Sequence, residues 1–285
     1  MQLSFEHHGN RYQCATQDAK SIAISLDFDG PQPNYFGVEQ AVSSELKLDD
    51  FVGDTRKGGS CNVRTLQMIP HCNGTHTETI GHIVDQATDE DAQGEDVWVG
   101  EAAIKPLMVA VLVTVTPRLG SQTSESYRPQ LSATDKIIES AQLLEAIARV
   151  CDVDKVQPEA LIVRTVPNDV EKCSRRYSSD DAAPFFTVEA IQAINSLKFG
   201  HLLVDFPSID RSQDEGLLTN HHLFWGVPET THGLAESSDR HKTITEMIFV
   251  DDEIADGLFG LTIQIPALKS DAAPSRPILM SLEPA

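Results

Sequence analysis

Three apolar runs rich in β-branched residues set the fold class of this chain. PLMVAVLVTVTP (Pro106–Pro117) has no charge between its flanking prolines, and EALIVRTVP (Glu159–Pro167) and HLLVDFPSID (His201–Asp210) are shorter runs of the same type. Runs with so little polar alternation suit strands buried on both faces, as in a largely parallel sheet covered by helices. Between the second and third lies TVEAIQAINSLKFG (Thr187–Gly200), apolar at helical spacing. Thr187 stands at its N-cap, Glu189 in its first turn and Gly200 where a helix would stop. Strand, helix and strand in this order predict a βαβ unit with its strands parallel.

The remaining segments fill out an α/β architecture. The first thirty or so residues read as a short hairpin followed by a strand, SIAISLDFDG (Ser21–Gly30), and residues 31–60 as an irregular surface excursion rich in Pro, Gly and charge. CNVRTLQMIP (Cys61–Pro70) alternates like a strand, and DQATDEDAQGED (Asp85–Asp96) reads as an acidic loop. SATDKIIESAQLLEAIARV (Ser132–Val150) has helical spacing with Ser, Thr or Asp available as N-cap. The C-terminal part, from Thr243 to Leu268, reads as strands with a turn at Asp256–Gly257. With 285 residues, 40% of them hydrophobic, a single domain over 1–285 is expected.

Charge excludes some function classes. Forty-three acidic against 22 basic residues give a formal net charge of −21, which repels phosphate backbones and anionic lipid. Neither nucleic acid nor a membrane is an expected partner. The N-terminal MQLSFEHHGNRYQC lacks the basic and apolar regions of a signal peptide. The longest apolar run is far short of the roughly 20 residues that span a bilayer. Five cysteines are scattered without C-x-x-C spacing, so a reduced, cytoplasmic protein is expected.

The chemistry concentrates in HCNGTHTETIGHI (His71–Ile83). In an extended segment His76 and Glu78 point the same way, and His82 can return to the same place after a turn at Gly81. Imidazole with carboxylate suits Zn²⁺, Mn²⁺ or Fe²⁺ rather than Ca²⁺ or Mg²⁺. The competing reading is a solvated polar loop. A second cluster weighs against it. NHHLFWG (Asn220–Gly226) carries His221 and His222, and TITEMIFV (Thr243–Val250) places Glu246 inside an apolar strand. A carboxylate buried there needs a cation; on an edge strand it would instead face water.

GTH-x-E-x-x-G-H, from Gly74 to His82, resembles the motif H-x-G-T-H-x-D-x-P-x-H of the cyclase family, whose members include bacterial kynurenine formamidases. DFPSID (Asp205–Asp210) is similar to the family's D-x-x-S-x-D, HHLFWG to its H-x-x-L-L-G, TITEMI to its strand with a late glutamate, and SRPILM (Ser275–Met280) to its closing strand. The resemblance implies a swivelling β/β/α fold with a mixed sheet or open barrel and flanking helices. It implies His76, Glu78, His221 and Glu246 as metal ligands and His82 as acid/base. His221 is preferred to His222 because it stands five residues before Gly226, as the family's ligand stands before its glycine.

Three positions depart from the family motif. Its first histidine falls on Cys72, with His71 adjacent; its aspartate is Glu78; its proline is Ile80. Either His71 or Cys72 is a further candidate ligand, and one or two metal ions per chain are both open. The resemblance further implies Zn²⁺ or Mn²⁺ as cofactor and a homodimer or homotetramer. The activity it implies is hydrolysis of a small non-peptide amide, an aryl formamide such as N-formylkynurenine or a cyclic amide. Trp225, Phe206 and Phe36 are candidate pocket walls, Ser208 a turn residue, and His7 and His8 solvated side chains. Residues 227–242, carrying His232 and His241, read as a connection over the surface. A metal-binding protein without hydrolytic activity, and a protein with no metal at all, are the rival readings.

Overall fold

A computed structural model of the chain describes residues 2–85, 97–102, 104–178 and 182–285. Eleven strands among them form one mixed sheet. They are β1 (Gln2–His7), β2 (Asn10–Ala15), β3 (Lys20–Ser21), β4 (His76–Thr79), β5 (Met108–Val115), β6 (Ala160–Thr165), β7 (His201–Val204), β8 (Thr243–Glu246), β9 (Gly257–Gln264), β10 (Ala272–Pro274) and β11 (Arg276–Pro284). Their spatial order is β1-β2-β11-β9-β5-β6-β7-β8-β4-β10, with β3 also on β11. The four central strands β5, β6, β7 and β8 are mutually parallel, and antiparallel strands extend the sheet on both sides.

Side chains alternate across the parallel strands, and both faces are buried. Val111, Val113, Leu161, Val163 and Leu202 face one core, while Ala110, Leu112, Ile162 and Leu203 face the other. Helices α2 (Ser140–Val150), α3 (Val188–Ser196) and α4 (Thr219–Trp225) cover the first core. They follow α1 (Pro70–Asn73), a single turn before β4. The βαβ unit is present: β6 and β7 pair in parallel with α3 between them. Among the described residues no helix is long and apolar enough to cross a membrane.

Several local expectations change. The helix expected from Ser132 begins only at Ser140, because Lys136–Ile138 pairs in parallel with Phe185–Phe186, burying Ile137 and Ile138 completely. β-Branched residues yield to strand pairing where tertiary partners exist. No residue of the segment itself caps α2. Glu125, from a distant loop, accepts the Ser140 N–H. Thr187 caps α3 as expected, through the Ala190 N–H, while Glu189 turns away to Ser126. At the far end Lys198, not Gly200, adopts the left-handed conformation, with φ 62°. SIAISLDFDG contributes only Ser21 to a paired strand, after which Ile24 N–H is held by the Thr75 hydroxyl. Residues 42–45 and 64–67 pair as an exposed ribbon rather than an irregular loop and isolated strand. His7 is buried, its Nε2 2.7 Å from the Gln157 carbonyl, so it is not a solvated side chain. The expected loop at 85–96 lies, apart from Asp85, outside the described residues.

His201 begins β7 in the core, its Nδ1 2.9 Å from the Thr243 hydroxyl. Burial pushes its pKa down to about 4. The unfolded chain therefore binds a proton there that the native one does not. Its contribution to stability is complete above about pH 6.5 and is lost as pH falls towards 4. Denaturant titrations of the wild type at pH 7 and 5 should differ more than those of His201→Asn, by about 2 kcal/mol. Equal differences in the two proteins would contradict this assignment.

Candidate metal centre

The site is built on the far side of the parallel strands, where β4 lies between β8 and β10. Alternation along β4 sends His76 and Glu78 to the same face. Antiparallel register puts Glu246 of β8 directly opposite His76, and Ala272 of β10 opposite Glu78. All three ionisable side chains are buried, at 0%, 0% and 3% exposure, so the water-facing reading of Glu246 does not hold. His76 Nε2 lies 3.4 Å from Glu246 Oε2.

Three further elements bring the remaining groups. The turn of α1 directs His71 inward, its Nδ1 3.0 Å from Glu78 Oε2. Successive residues on a helical turn point about 100° apart, so the neighbouring Cys72 faces elsewhere and packs with Tyr35 and Tyr177. Burial pushes the Cys72 thiol up, with Glu246 adding to the effect. Among the described residues Cys72 joins no set of converging ligand atoms, so of the two alternatives the geometry brings in His71. A 3-10 turn over Ile80–His82 carries His82 back, to 3.9 Å from Glu78 Oε2. Gly81 permits this, since a Cβ there would meet the Val97 carbonyl at 2.4 Å. Helix α4 presents His221, with Nε2 3.0 Å from Glu78 Oε1 and 3.8 Å from Glu246 Oε1. His222 points away, to the Val227 carbonyl.

Two functional groups were not singled out from the sequence. Asp271, just before β10, places Oδ2 2.8 Å from His71 Nε2 and 3.4 Å from His82 Nδ1. Nothing in the spacing of LKSDAAP marks it, because register alone brings it there. Asp210 ends DFPSID and holds His221 Nδ1 at 2.5 Å. Its carboxylate also accepts the N–H groups of Asn220 and His221, so one side chain caps α4 and orients the imidazole. Tyr127 donates to its other oxygen at 2.7 Å. Ser208 is a turn residue as expected, its hydroxyl accepting the Asp210 N–H. The motif signalled this loop, yet it gave no reason to prefer the aspartate.

Of the expected pocket walls, Trp225 is fully buried beside the His221 ring and Phe206 meets Phe186 edge to face in the core. Only Phe36 is exposed. His232, in the connection over 227–242, bonds the Ile83 carbonyl and so fastens that connection beside His82.

The donor set fits a divalent cation. Ligand atoms of His71, His76 and Glu78, of Glu78, His82 and His221, and of His71, His82 and Asp271 each lie within 4.8 Å of one another. Donors sharing a zinc ion at about 2.1 Å stand about 3.4 Å apart. His76 Nε2 and Glu78 Oε2 are buried without a hydrogen-bond partner, the latter 3.0 Å from His71 Nδ1 as an ion pair. Electrostatics agree. Burial alone would raise the Glu78 carboxyl, but His82 and His221 outweigh it and hold it well below its usual range. Burial alone would lower His71, but Asp271 and Glu78 push it up to about 10. Without a metal the carboxylates are balanced by protonated imidazoles, and a cation would displace those protons.

With that geometry in hand, comparison with known proteins is decisive about kinship. A family model described as "Putative cyclase" matches residues 10–211. The chain belongs to the cyclase family. The match ends before His221 and Glu246, which the fold nevertheless places beside the family motif. Among curated proteins none matches the chain. Solved structures share its fold across nearly its whole length. An isatin hydrolase bound to the product analogue thioisatinate is 13% identical with a TM-score of 0.60, covering 94% of this chain and 93% of its own. Isatin hydrolase A from Labrenzia aggregata, bound to benzyl benzoate, is 15% identical with a TM-score of 0.58, over 92% and 93%. A structure from Bacillus stearothermophilus described as a "predicted metal-dependent hydrolase" is 12% identical with a TM-score of 0.54, over 92% and 98%.

Asp210 yields a direct check of this cyclase-family site. Asp210→Ala removes the acceptor for His221 Nδ1 and for the first N–H groups of α4. Zinc affinity measured by chelator competition should fall roughly 10–100-fold. An unchanged affinity would show that His221 is not held for a metal.

Proposed function

We propose that this cyclase-family chain is a metal-dependent hydrolase of a small non-peptide amide, either a cyclic amide or an aryl formamide such as N-formylkynurenine. The observation that carries this reading is that Glu78 joins two sets of converging ligand atoms, one with His71 and His76 and one with His82 and His221, while His76 Nε2 and Glu78 Oε2 are buried without a hydrogen-bond partner. The fold it shares with isatin hydrolases supports the cyclic-amide choice. Zn²⁺ is the cofactor proposed, with Mn²⁺ as the alternative, one or two per chain, held by His76, Glu78 and His221 with His71 in reach. Glu246, which joins none of the converging sets among the described residues and accepts the Ile209 N–H, is proposed to coordinate through its other oxygen, 3.4 Å from His76 Nε2.

Such a cation supplies Lewis acidity, which acidifies water and polarises an amide carbonyl. The protein does the rest. Glu78 is the anionic centre of the donor set, within ion-pair distance of three imidazoles. Asp210 fixes the tautomer of His221 by accepting a hydrogen bond from its Nδ1–H, leaving the Nε2 lone pair to face inward. His82, about a quarter exposed, stands at the open edge of the cluster. Asp271 beside its Nδ1 leaves Nε2 to accept a proton from the attacking water and return it to the departing nitrogen.

Elemental analysis of untagged protein should find one or two zinc or manganese ions per chain, lost in His76→Ala. Metal-loaded wild type should open isatin or cleave an aryl formamide. His82→Ala should keep its metal while kcat falls about 10²–10⁴-fold. Metal retained with no turnover of either amide class would favour a non-catalytic metal-binding protein. A metal-free wild type after dialysis against both ions would contradict the proposal.

A further inference from the structure

The Asp210 carboxylate that orients His221 is itself held by four donors. They are the backbone N–H groups of Asn220 and His221, the imidazole Nδ1 of His221 and the hydroxyl of Tyr127. A carboxylate has about four lone-pair sites, so all of them are taken. Oδ2 receives both bonds of His221, at 3.1 Å and 2.5 Å. Oδ1 receives the Asn220 N–H and the Tyr127 hydroxyl, each at 2.7 Å. The plane of the carboxylate, and with it the direction of the imidazole, is therefore set from both sides.

Three of these four donors belong to α4, whose position they help to define but cannot fix by themselves. The helix has only seven residues, too few to be stable alone. The residue before it, Leu218, has φ 44° and a side chain that caps nothing. Contacts from outside must therefore place its first turn, which carries His221.

Tyr127 supplies such a contact from the chain between β5 and Lys136. Its ring is 6% exposed, packed with Ile137 and against Phe185, with ring centroids 4.8 Å apart. Its hydroxyl is used twice, donating to Asp210 Oδ1 and accepting the Arg211 N–H at 3.1 Å. One oxygen thus fixes the side chain of Asp210 and the backbone of the residue after it. Burial, with Asp210 beside it, pushes the phenol up, so the hydroxyl remains a donor. The next residue along grips α4 as well. Thr219, the first residue of that helix, donates its hydroxyl to the Arg128 carbonyl at 2.7 Å.

We infer that Tyr127 is a positioning residue of the metal centre, its hydroxyl locking the Asp210 carboxylate so that His221 Nε2 is aimed at Glu78, 3.0 Å away. It acts through Asp210 and does not itself reach the cation. The inference rests on the metal-dependent hydrolase reading for what His221 holds, but zinc binding tests it without turnover.

The experiment is a double-mutant cycle on zinc affinity, measured by chelator competition with the full chain. Tyr127→Phe keeps the ring and removes only the hydroxyl. Zinc affinity should fall about tenfold, the low end of the range for outer partners of a ligand, because Tyr127 stands one bond further out. In an Asp210→Ala background the same change should alter affinity by less than about twofold, since the group it acts through is gone. A hydroxyl that served only the stability of the fold would give an equal factor in both backgrounds, or none, and either result would overturn the inference. The Nδ1–H proton of His221 gives a reading that needs no Asp210 variant. Its magnetic resonance in the zinc-loaded protein should move in Tyr127→Phe, and an unmoved resonance would also overturn the inference. Zinc affinity that follows the cycle in a chain hydrolysing neither amide class would uphold the role of Tyr127 and overturn the hydrolase reading alone. A chain that binds no zinc would overturn both.

Discussion

A carboxylate buried completely inside the sheet, Glu78, is the constraint on which the rest of the site depends. Removing an ionised carboxylate from water is tolerated only when positive charge is supplied. The fold brings imidazoles to it from three elements besides its own strand: the turn of α1, the 3-10 turn after β4 and helix α4. Each imidazole in turn leans on an outer carboxylate, Asp271 for His71 and His82, Asp210 for His221. The arrangement alternates negative and positive groups outward from one buried anion. It also leaves two polar atoms unmatched at its centre.

Sheet register makes this possible. β4 is the antiparallel neighbour of the last parallel strand, so one face of a four-residue strand meets Glu246 on one side and the chain around Asp271 on the other. A slip of one residue would turn His76 and Glu78 to the opposite face. Thr77 and Thr79, on the alternate positions, fasten the register through the Thr245 and Ser275 hydroxyls and the Val97 carbonyl. A second buried ion pair secures the neighbouring loop. Lys172 holds Asp205 at 2.7 Å, at the base of the loop whose end is Asp210.

How much of this could be read from the sequence follows from the range of each interaction. The parallel strands, the βαβ unit and the pairing of His76 with Glu78 are local in origin, set by apolar runs and by alternation. The histidine pair of NHHLFWG and the carboxylate of Glu246 inside an apolar strand stood out from the residues themselves. The choice of His221 over His222 and the ligand roles of His221 and Glu246 came from the family resemblance, and the fold puts both beside the motif. Asp271 was illegible because its place depends on β10 pairing with β4 across almost two hundred residues of sequence. The choice between His71 and Cys72 was open because it turns on a single helical turn before the strand. Ile137 and Ile138 misled for a related reason. Their helical spacing was real, but a parallel partner at Phe185–Phe186 claimed them.

The central claim is that the unmatched atoms at the heart of the cluster belong to a divalent cation. Diffraction from crystals grown with zinc, recorded on both sides of the zinc absorption edge, addresses it most directly. The account predicts a strong anomalous peak within about 2.2 Å of both His76 Nε2 and a Glu78 carboxylate oxygen, with His221 Nε2 also coordinated. A cluster that stays free of anomalous density, with His71 still paired to Glu78 and Asp271, would mean that its carboxylates are balanced by protons alone.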